Sequence, residues 1–269
     1  MTVQLTAGMR ANLFSLQQTT KMMDLTQKRL SSGKKVNSAL DDPVNFFKSK
    51  NHYDRATDLD AKKDGMAEAI KTIEAADTGV EAIYDLLAQM KSLASAAKTS
   101  DNTGDLQVQF ETIRSQIATL ATDSKYGGNN LMNGDTISVE FDEDGSHTLS
   151  VGSSSLKSTV KGDVAGTSVI AGNFTTQTSM ESAITQIDSA VSNLRTESQK
   201  LASNLSTISI REDFTEKMID TLNTGADKLT LADMNEEGAN MLMLQTRQAL
   251  GTTSLSLSSQ AAQSVLRLF

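Results

Sequence analysis

Along most of this chain, apolar side chains recur in alternating steps of four and three. That is the repeat of a helix buried along one stripe. Near the N-terminus, Met9, Leu13, Leu16, Thr20, Met23, Gln27 and Leu30 keep the alternation without a break. At the other end Met241, Leu244, Leu255, Val265 and Phe269 share one such frame, and Gln248, Gly251, Ser258 and Ala262 fill its remaining seats. Leu244, Leu255 and Leu266 also repeat every eleven residues, which broadens the stripe beyond a strict heptad seam. Both ends are poor in charge: Arg10 is the one charged side chain in 1–20, and Arg247 and Arg267 are those beyond Gly238. A helix without a charged back face needs partners. The simplest arrangement pairs the two ends with each other and then with further copies of the chain.

Between the ends the pattern predicts more helices and one break. Leu30 to Pro43 reads as a connector: Gly33 stops the first helix, Lys34 and Lys35 suit its C-terminal dipole, and Asp42-Pro43 starts the next. Leu59, Met66, Ile70, Ile73, Val80, Tyr84 and Leu87 form a stripe that Ile83, Leu86, Met90, Leu93 and Ala97 continue in shifted phase. After a turn at 99–104, Leu106, Phe110, Ile113, Ile117 and Leu120 give a third helix ending near Tyr126-Gly127-Gly128. Residues 131–175 change period. Ile137, Val139 and Phe141 alternate, as do His147, Leu149 and Val151, around an Asp142-Glu143-Asp144-Gly145 turn. That is a hairpin signal, followed by a Ser/Thr/Gly-rich tract, and the stretch reads as the tip. Met180, Ile184, Ile187, Val191, Leu194, Leu201, Leu205 and Ile208 then restore the helical frame, which runs on past Phe214.

The expected fold is therefore mainly α: a long antiparallel helical rod with paired coiled-coil termini and a small β-hairpin region at the tip. Its expected parts are an N-terminal core helix and connector (1–42), N-terminal rod helices (43–130), a β/variable tip (131–175), a C-terminal rod helix (176–230) and a C-terminal core helix (231–269).

Composition narrows the function. Aromatics are 4%, with one Pro, no Trp and no Cys, which suits helices packed through aliphatic seams. A net charge of −8 argues against a general nucleic-acid binder. There is no apolar run long enough for a membrane span and no basic-then-apolar leader, so any export is expected to use another route. His52 and His147 have no second ligand at metal spacing, and the acidic turn at Asp142 lacks the calcium loop's length and closing Glu. Asp41 and Asp42 read as helix capping rather than a catalytic pair. GxxxxGK[ST], GxSxG and HExxH are absent. No cofactor and no enzyme activity are expected.

Three segments carry a family likeness. Arg29-Leu30-Ser31-Ser32-Gly33-Lys34-Lys35-Val36-Asn37-Ser38-Ala39-Leu40-Asp41-Asp42 resembles the N-terminal signature of bacterial flagellins. Tyr126-Gly127-Gly128-Asn129-Asn130-Leu131 is similar to the segment where their third helix enters the β region. Ala232-Asp233-Met234, with Gln260-Ala261-Ala262 and Val265-Leu266, is similar to their C-terminal motif. The likeness covers about 1–134 and 176–269.

It implies a filament subunit exported unfolded by the flagellar type III gate with a chaperone, added beneath a cap protein and joined to hook-associated junction proteins. It also implies an inner tube of terminal helices. On this reading Met9, Leu13, Leu16, Met23, Leu30, Met241, Leu244, Leu255, Val265, Leu266 and Phe269 serve the filament core. Ile70, Ile73, Phe110, Ile113, Ile117, Leu120, Ile184, Ile187, Val191, Leu194, Leu201, Leu205 and Ile208 pack the rod. The terminal helices are expected to be largely disordered until they meet neighbouring copies. Flagellins sensed by Toll-like receptor 5 carry an arginine-rich patch where this chain has Gln89, Met90, Lys91, Ser92 and Leu93, which implies weak or absent recognition. Ser153, Ser154, Ser155, Ser158 and Thr159 are candidate O-glycosylation positions. A hook–filament junction protein, which shares both terminal motifs, is the alternative; a signalling helical hairpin would carry charge to its ends.

Overall fold

A computed structural model describes residues 7–152 and 174–266, the side chains of 262, 265 and 266 apart. Among them five long helices follow in order: α1 (Ala7–Ser32), α2 (Pro43–Ala97), α3 (Thr103–Asp123), α4 (Gln177–Thr230) and α5 (Met234–Leu266). Between α3 and α4, strands β1 (Thr136–Glu140) and β2 (Thr148–Gly152) pair antiparallel, with Val139 opposite Leu149 and Ile137 opposite Val151. The fold is mainly α with one small hairpin. Contacts gather the chain into two compact units: Met1–Asp54 with Thr221–Phe269, and Arg55–Asp220.

In the second unit α2 and α4 run antiparallel. Ser198 Oγ donates to Asp77 Oδ1 at 3.1 Å, Tyr84 Oη donates to the Val191 carbonyl at 3.5 Å, and Lys98 pairs with Glu181 at 2.9 Å. Numbers rise on one helix as they fall on the other. Side chains at the three-four spacing interlock between them: Ile73, Val80, Ile83, Leu87 and Met90 from α2 are buried with Ile187, Leu194, Leu201 and Ile208 from α4. The third helix completes the bundle through Phe110, Ile117 and Ala121. Phe110 meets Phe174 edge to face, with ring centroids 5.1 Å apart.

The end of α3 is built by its own residues. Gly127 and Gly128 take positive φ in a tight turn closed by the Tyr126–Asn129 bridge. Buried Asn130 then donates to the Ala121 carbonyl at 2.8 Å and the Thr122 carbonyl at 3.1 Å, satisfying acceptors the helix leaves open. Gly79 of α2 gives Ser124 and Met132 room to approach; a Cβ there would collide with Ser124 Oγ and Met132 Sδ.

The hairpin packs against α2 and α4 within the second unit. Arg55 pairs with Glu143 at 2.5 Å, Lys62 pairs with Glu140, and the Arg211 guanidinium lies 5.3 Å over the Phe141 ring. The strands thus lie beside the part of α2 near Arg55, far from its end at Ala97. The cause is chain direction: α3 runs back along α2 and finishes level with Gly79, so the segment after it continues toward Arg55.

Candidate functional site

In the first unit α1 and α5 pair antiparallel. A Cβ on Gly251 would lie 3.1 Å from Leu16 Cγ, Asn12 Nδ2 donates to Ser254 Oγ at 3.2 Å, and Arg29 Nη1 pairs with Glu237 Oε1 at 2.8 Å. Met9, Thr19 and Thr26 are buried on the inner face of α1, with Asn12, Leu16, Met23 and Leu30 half-buried. On α5, Leu244 and Glu237 are buried, and Met241, Gln248, Gly251, Leu255 and Ser258 are half-buried. Val265, Leu266 and Phe269 contribute no described side chain.

The α5 seam follows the frame read from sequence. On α1 every second seat differs: the seam uses Asn12, Thr19 and Thr26, while Leu13 (41% exposed), Thr20 and Gln27 face outward. Two three-four frames share Met9, Leu16, Met23 and Leu30, and hydrophobicity favours the frame containing Leu13. Small polar seats win because they let two helices approach closely, and because the Thr19 hydroxyl is already satisfied by the Ser15 carbonyl at 2.9 Å.

Apolar side chains are left outside this pair. Phe14 is 70% exposed, and Leu13, Met22 and Leu25 accompany it on α1. On α5, Met243, Leu250 and Leu257 stand exposed at a spacing of seven, with Leu242 beside them at 67% exposure. Large apolar side chains grouped on a charge-poor exterior are the kind of surface that favours burial against a partner.

The signature between α1 and α2 folds into a self-bonded connector. Gly33 takes φ 70° just past α1, and its N–H donates to the Arg29 carbonyl at 2.8 Å. Lys35 N–H donates to the Thr230 carbonyl at 2.8 Å and Ala232 N–H to the Gly33 carbonyl at 2.9 Å, around a Lys34–Leu231 bridge. The Asp41 carboxylate accepts from Asn37 N at 3.1 Å and from Ser38 N at 3.0 Å; chiefly the Asn37 N–H holds its pKa below the usual carboxylate value. Asp42 caps α2 by accepting from Asn45 N at 3.0 Å, which lowers its pKa in the same way. Tyr53 Oη donates to Asp227 Oδ1 at 2.5 Å, a bond that raises the phenol's pKa. Motif residues that look chemical in sequence thus serve geometry here. Sequence reasoning missed the Arg29–Glu237 pair, because the partners stand 208 positions apart.

The remaining candidates fall as follows. Ile73, Phe110, Ile117, Ile187, Leu194, Leu201 and Ile208 are buried in the second unit, with Ile70, Ile113, Leu120, Ile184, Val191 and Leu205 packed at the edge of the same cluster. In the patch compared with receptor-sensed relatives, Met90 is buried, Leu93 half-buried, Gln89 and Ser92 exposed, and Lys91 pairs with Asp188. Ser153, Ser154, Ser155, Ser158 and Thr159 lie outside the described residues. His147 Nδ1 lies 2.6 Å from Asp142 Oδ2 in the hairpin turn. Among the described residues no three His, Cys, Asp or Glu side chains converge as metal ligands, and no helix is long and apolar enough to cross a membrane.

Paired terminal helices with an apolar exterior, and an antiparallel helical bundle, define a mainly helical protein. A family model described as the bacterial flagellin N-terminal helical region matches residues 5–136. Flagellin FljK of Caulobacter vibrioides is 34% identical over 279 positions, covering 98% of this chain and 96% of that one. Flagellin FljM of the same organism is 33% identical over the same shares, and a flagellin of Brucella melitensis is 27% identical over 96% and 95%. The chain belongs to the flagellin family, structural proteins that form the extracellular flagellar filament.

Proposed function

We propose that this chain polymerises through its terminal pair, α1 and α5, which forms the inner layer of the filament while the α2–α3–α4 body forms the layer around it. The observation that carries the reading is the outward apolar stripe of Phe14, Met22 and Leu25 with Met243, Leu250 and Leu257. In a single copy this surface meets water. Stacked copies bury it at about 25 cal/mol per Å², which offsets the entropy of ordering the ends. The pair's own seam is weak, with Thr, Asn, Gln and Ser in many of its seats, so order at the termini depends on neighbours.

On this reading the chain leaves the cell unfolded through the flagellar type III gate, escorted by a chaperone, and is added beneath a cap onto hook-associated junction proteins. The five-part division of sequence into core, rod and tip segments describes the same layering. The near full-length likeness to proteins named flagellin favours the filament over the junction role. Seeding purified protein with filament fragments and following elongation by electron microscopy tests the reading. Long filaments are expected; failure to elongate under any salt condition would falsify it.

The surface at Gln89–Leu93 supports weak recognition by Toll-like receptor 5. One cation stands there, Lys91, and it is engaged by Asp188. A lysine also lacks the planar fork of arginine. Receptor-reporter cells exposed to monomer should stay near background. A response equal to that of an arginine-bearing flagellin would end this part of the proposal.

A further inference from the structure

The chain has twelve methionines and no cysteine, so thioethers are its oxidisable sulfur. All but Met1 fall within the described residues. In the second unit Met66, Met90, Met132 and Met180 are buried and Met218 is half-buried. In the first unit Met9 is buried, and Met23 and Met241 are half-buried in the seam. Met22, Met234 and Met243 differ: they are 36%, 48% and 55% exposed. Among the described residues, every exposed thioether therefore belongs to the unit that holds the terminal pair.

Met22 and Met243 also share a place. Leu16 packs at Gly251 and Arg29 pairs with Glu237, and this antiparallel register sets Met22 and Met243 at the same level of the pair. Each is next in sequence to a seam residue, Met23 or Leu244, and each belongs to the outward apolar stripe. Met234 stands apart, at the first position of α5 beside the connector.

A thioether is soft and apolar, so a neighbouring copy can cover it. Its sulfoxide is polar and chiral, and covering that oxygen without a donor is unfavourable. Hydrogen peroxide makes the conversion directly. A sulfur lone pair attacks one peroxide oxygen, the O–O bond breaks, and the proton left on the transferred oxygen departs with the released hydroxide as water. Sulfur gives up two electrons and the peroxide takes them.

We propose that Met22 and Met243 form an oxidation switch on the assembly surface. Peroxide converts them to sulfoxides in the unassembled chain, and the modified pair no longer docks on a second copy. Docked copies cover the same sulfurs, so assembly protects them. The effect on elongation rests on the polymer reading above; the position of the exposed sulfurs does not.

Monomer treated with dilute hydrogen peroxide is mapped by peptide mass spectrometry and added to seeds. Sulfoxide is expected at Met22, Met234 and Met243 before the methionines of the second unit, whose melting transition by circular dichroism stays unchanged. Elongation should slow about tenfold or more, the scale of burying unpaired polar groups. It should recover after treatment with the two epimer-specific methionine sulfoxide reductases. Met22→Leu with Met243→Leu keeps a similar volume and should elongate normally before and after peroxide, whereas Met234→Leu should remain sensitive. If the double variant does not elongate untreated, the two single variants replace it, each with partial resistance. Intact filaments should keep both sulfurs reduced. A resistant-site variant that still stops after peroxide, oxidised wild type that elongates normally, or filaments oxidised at these sites as fast as monomer overturn the switch and leave the filament reading standing. An unaltered, unoxidised chain that never elongates overturns both.

Discussion

At the scale of single residues, the densest local chemistry sits in the hairpin turn. Asp142 accepts from Ser146 Oγ at 2.6 Å and from His147 N at 3.2 Å, while Gly145 takes φ 67°. The Ser146 hydroxyl, and after it His147, hold the Asp142 carboxyl well below its ordinary range. A depressed acid contributes stability above its unfolded pKa, about 3.9, and that contribution is lost as pH falls through the folded value. Wild type should therefore protect the Phe141 amide, which donates to the His147 carbonyl at 2.9 Å, better than Asp142→Asn from pH 7 down to about 4. The gap should close only in stronger acid; amide exchange by NMR measures it. Gly79 offers a second test. Alanine there gains at most about 1 kcal/mol of helix propensity, against about 1–3 kcal/mol for forcing a methyl into filled space. Gly79→Ala should lower the thermal midpoint of the second unit. A raised midpoint would mean that Ser124 and Met132 yield freely.

At the scale of elements, the terminal pair separates what holds it together from what it offers to others. Thr19→Val with Thr26→Val replaces seam hydroxyls by methyls, at about 0.8 kcal/mol for each methyl-sized group buried. Helicity and amide protection of α1 and α5 should rise in the unassembled protein. Leu13→Ser with Phe14→Ser should leave that helicity unchanged and slow seeded elongation, since both side chains face outward. Equal effects from the two double variants would erase the distinction between faces. Much of this was legible in the sequence. The frame through Ile184, Ile187, Val191 and Leu194 finds the inner side of α4, where Ile187 and Leu194 are buried and Ile184 and Val191 pack at the edge beside buried Ala183 and Ala190. On α1 periodicity alone misleads, because Leu13 and Asn12 occupy rival frames and the more apolar choice points outward. The docking of the hairpin was not legible. It depends on pairs such as Lys62 with Glu140, 78 positions apart, and no local pattern encodes which charge meets which.

At the scale of the whole molecule, the proposed function puts stability and assembly in different residues. Removing Gly251–Phe269 takes away the Gly251–Leu16 packing and the outward Leu257, and leaves the residues of the Arg55–Asp220 unit in place. The truncated protein should keep that unit's melting transition by circular dichroism and fail to extend seeds. Phe110→Ala should do the reverse, costing about 3–5 kcal/mol of unfolding free energy while leaving the terminal pair's surface intact. The laced connector has a mechanical consequence. Where Gly33, Lys35, Thr230 and Ala232 exchange backbone hydrogen bonds, the path out of α1 and the path out of α4 run side by side. Tension applied to the two ends is therefore shared by two covalent strands, and the bonds between them resist one strand paying out ahead of the other. In a filament of the kind proposed, each subunit would hold its terminal pair by two hydrogen-bonded strands in place of one.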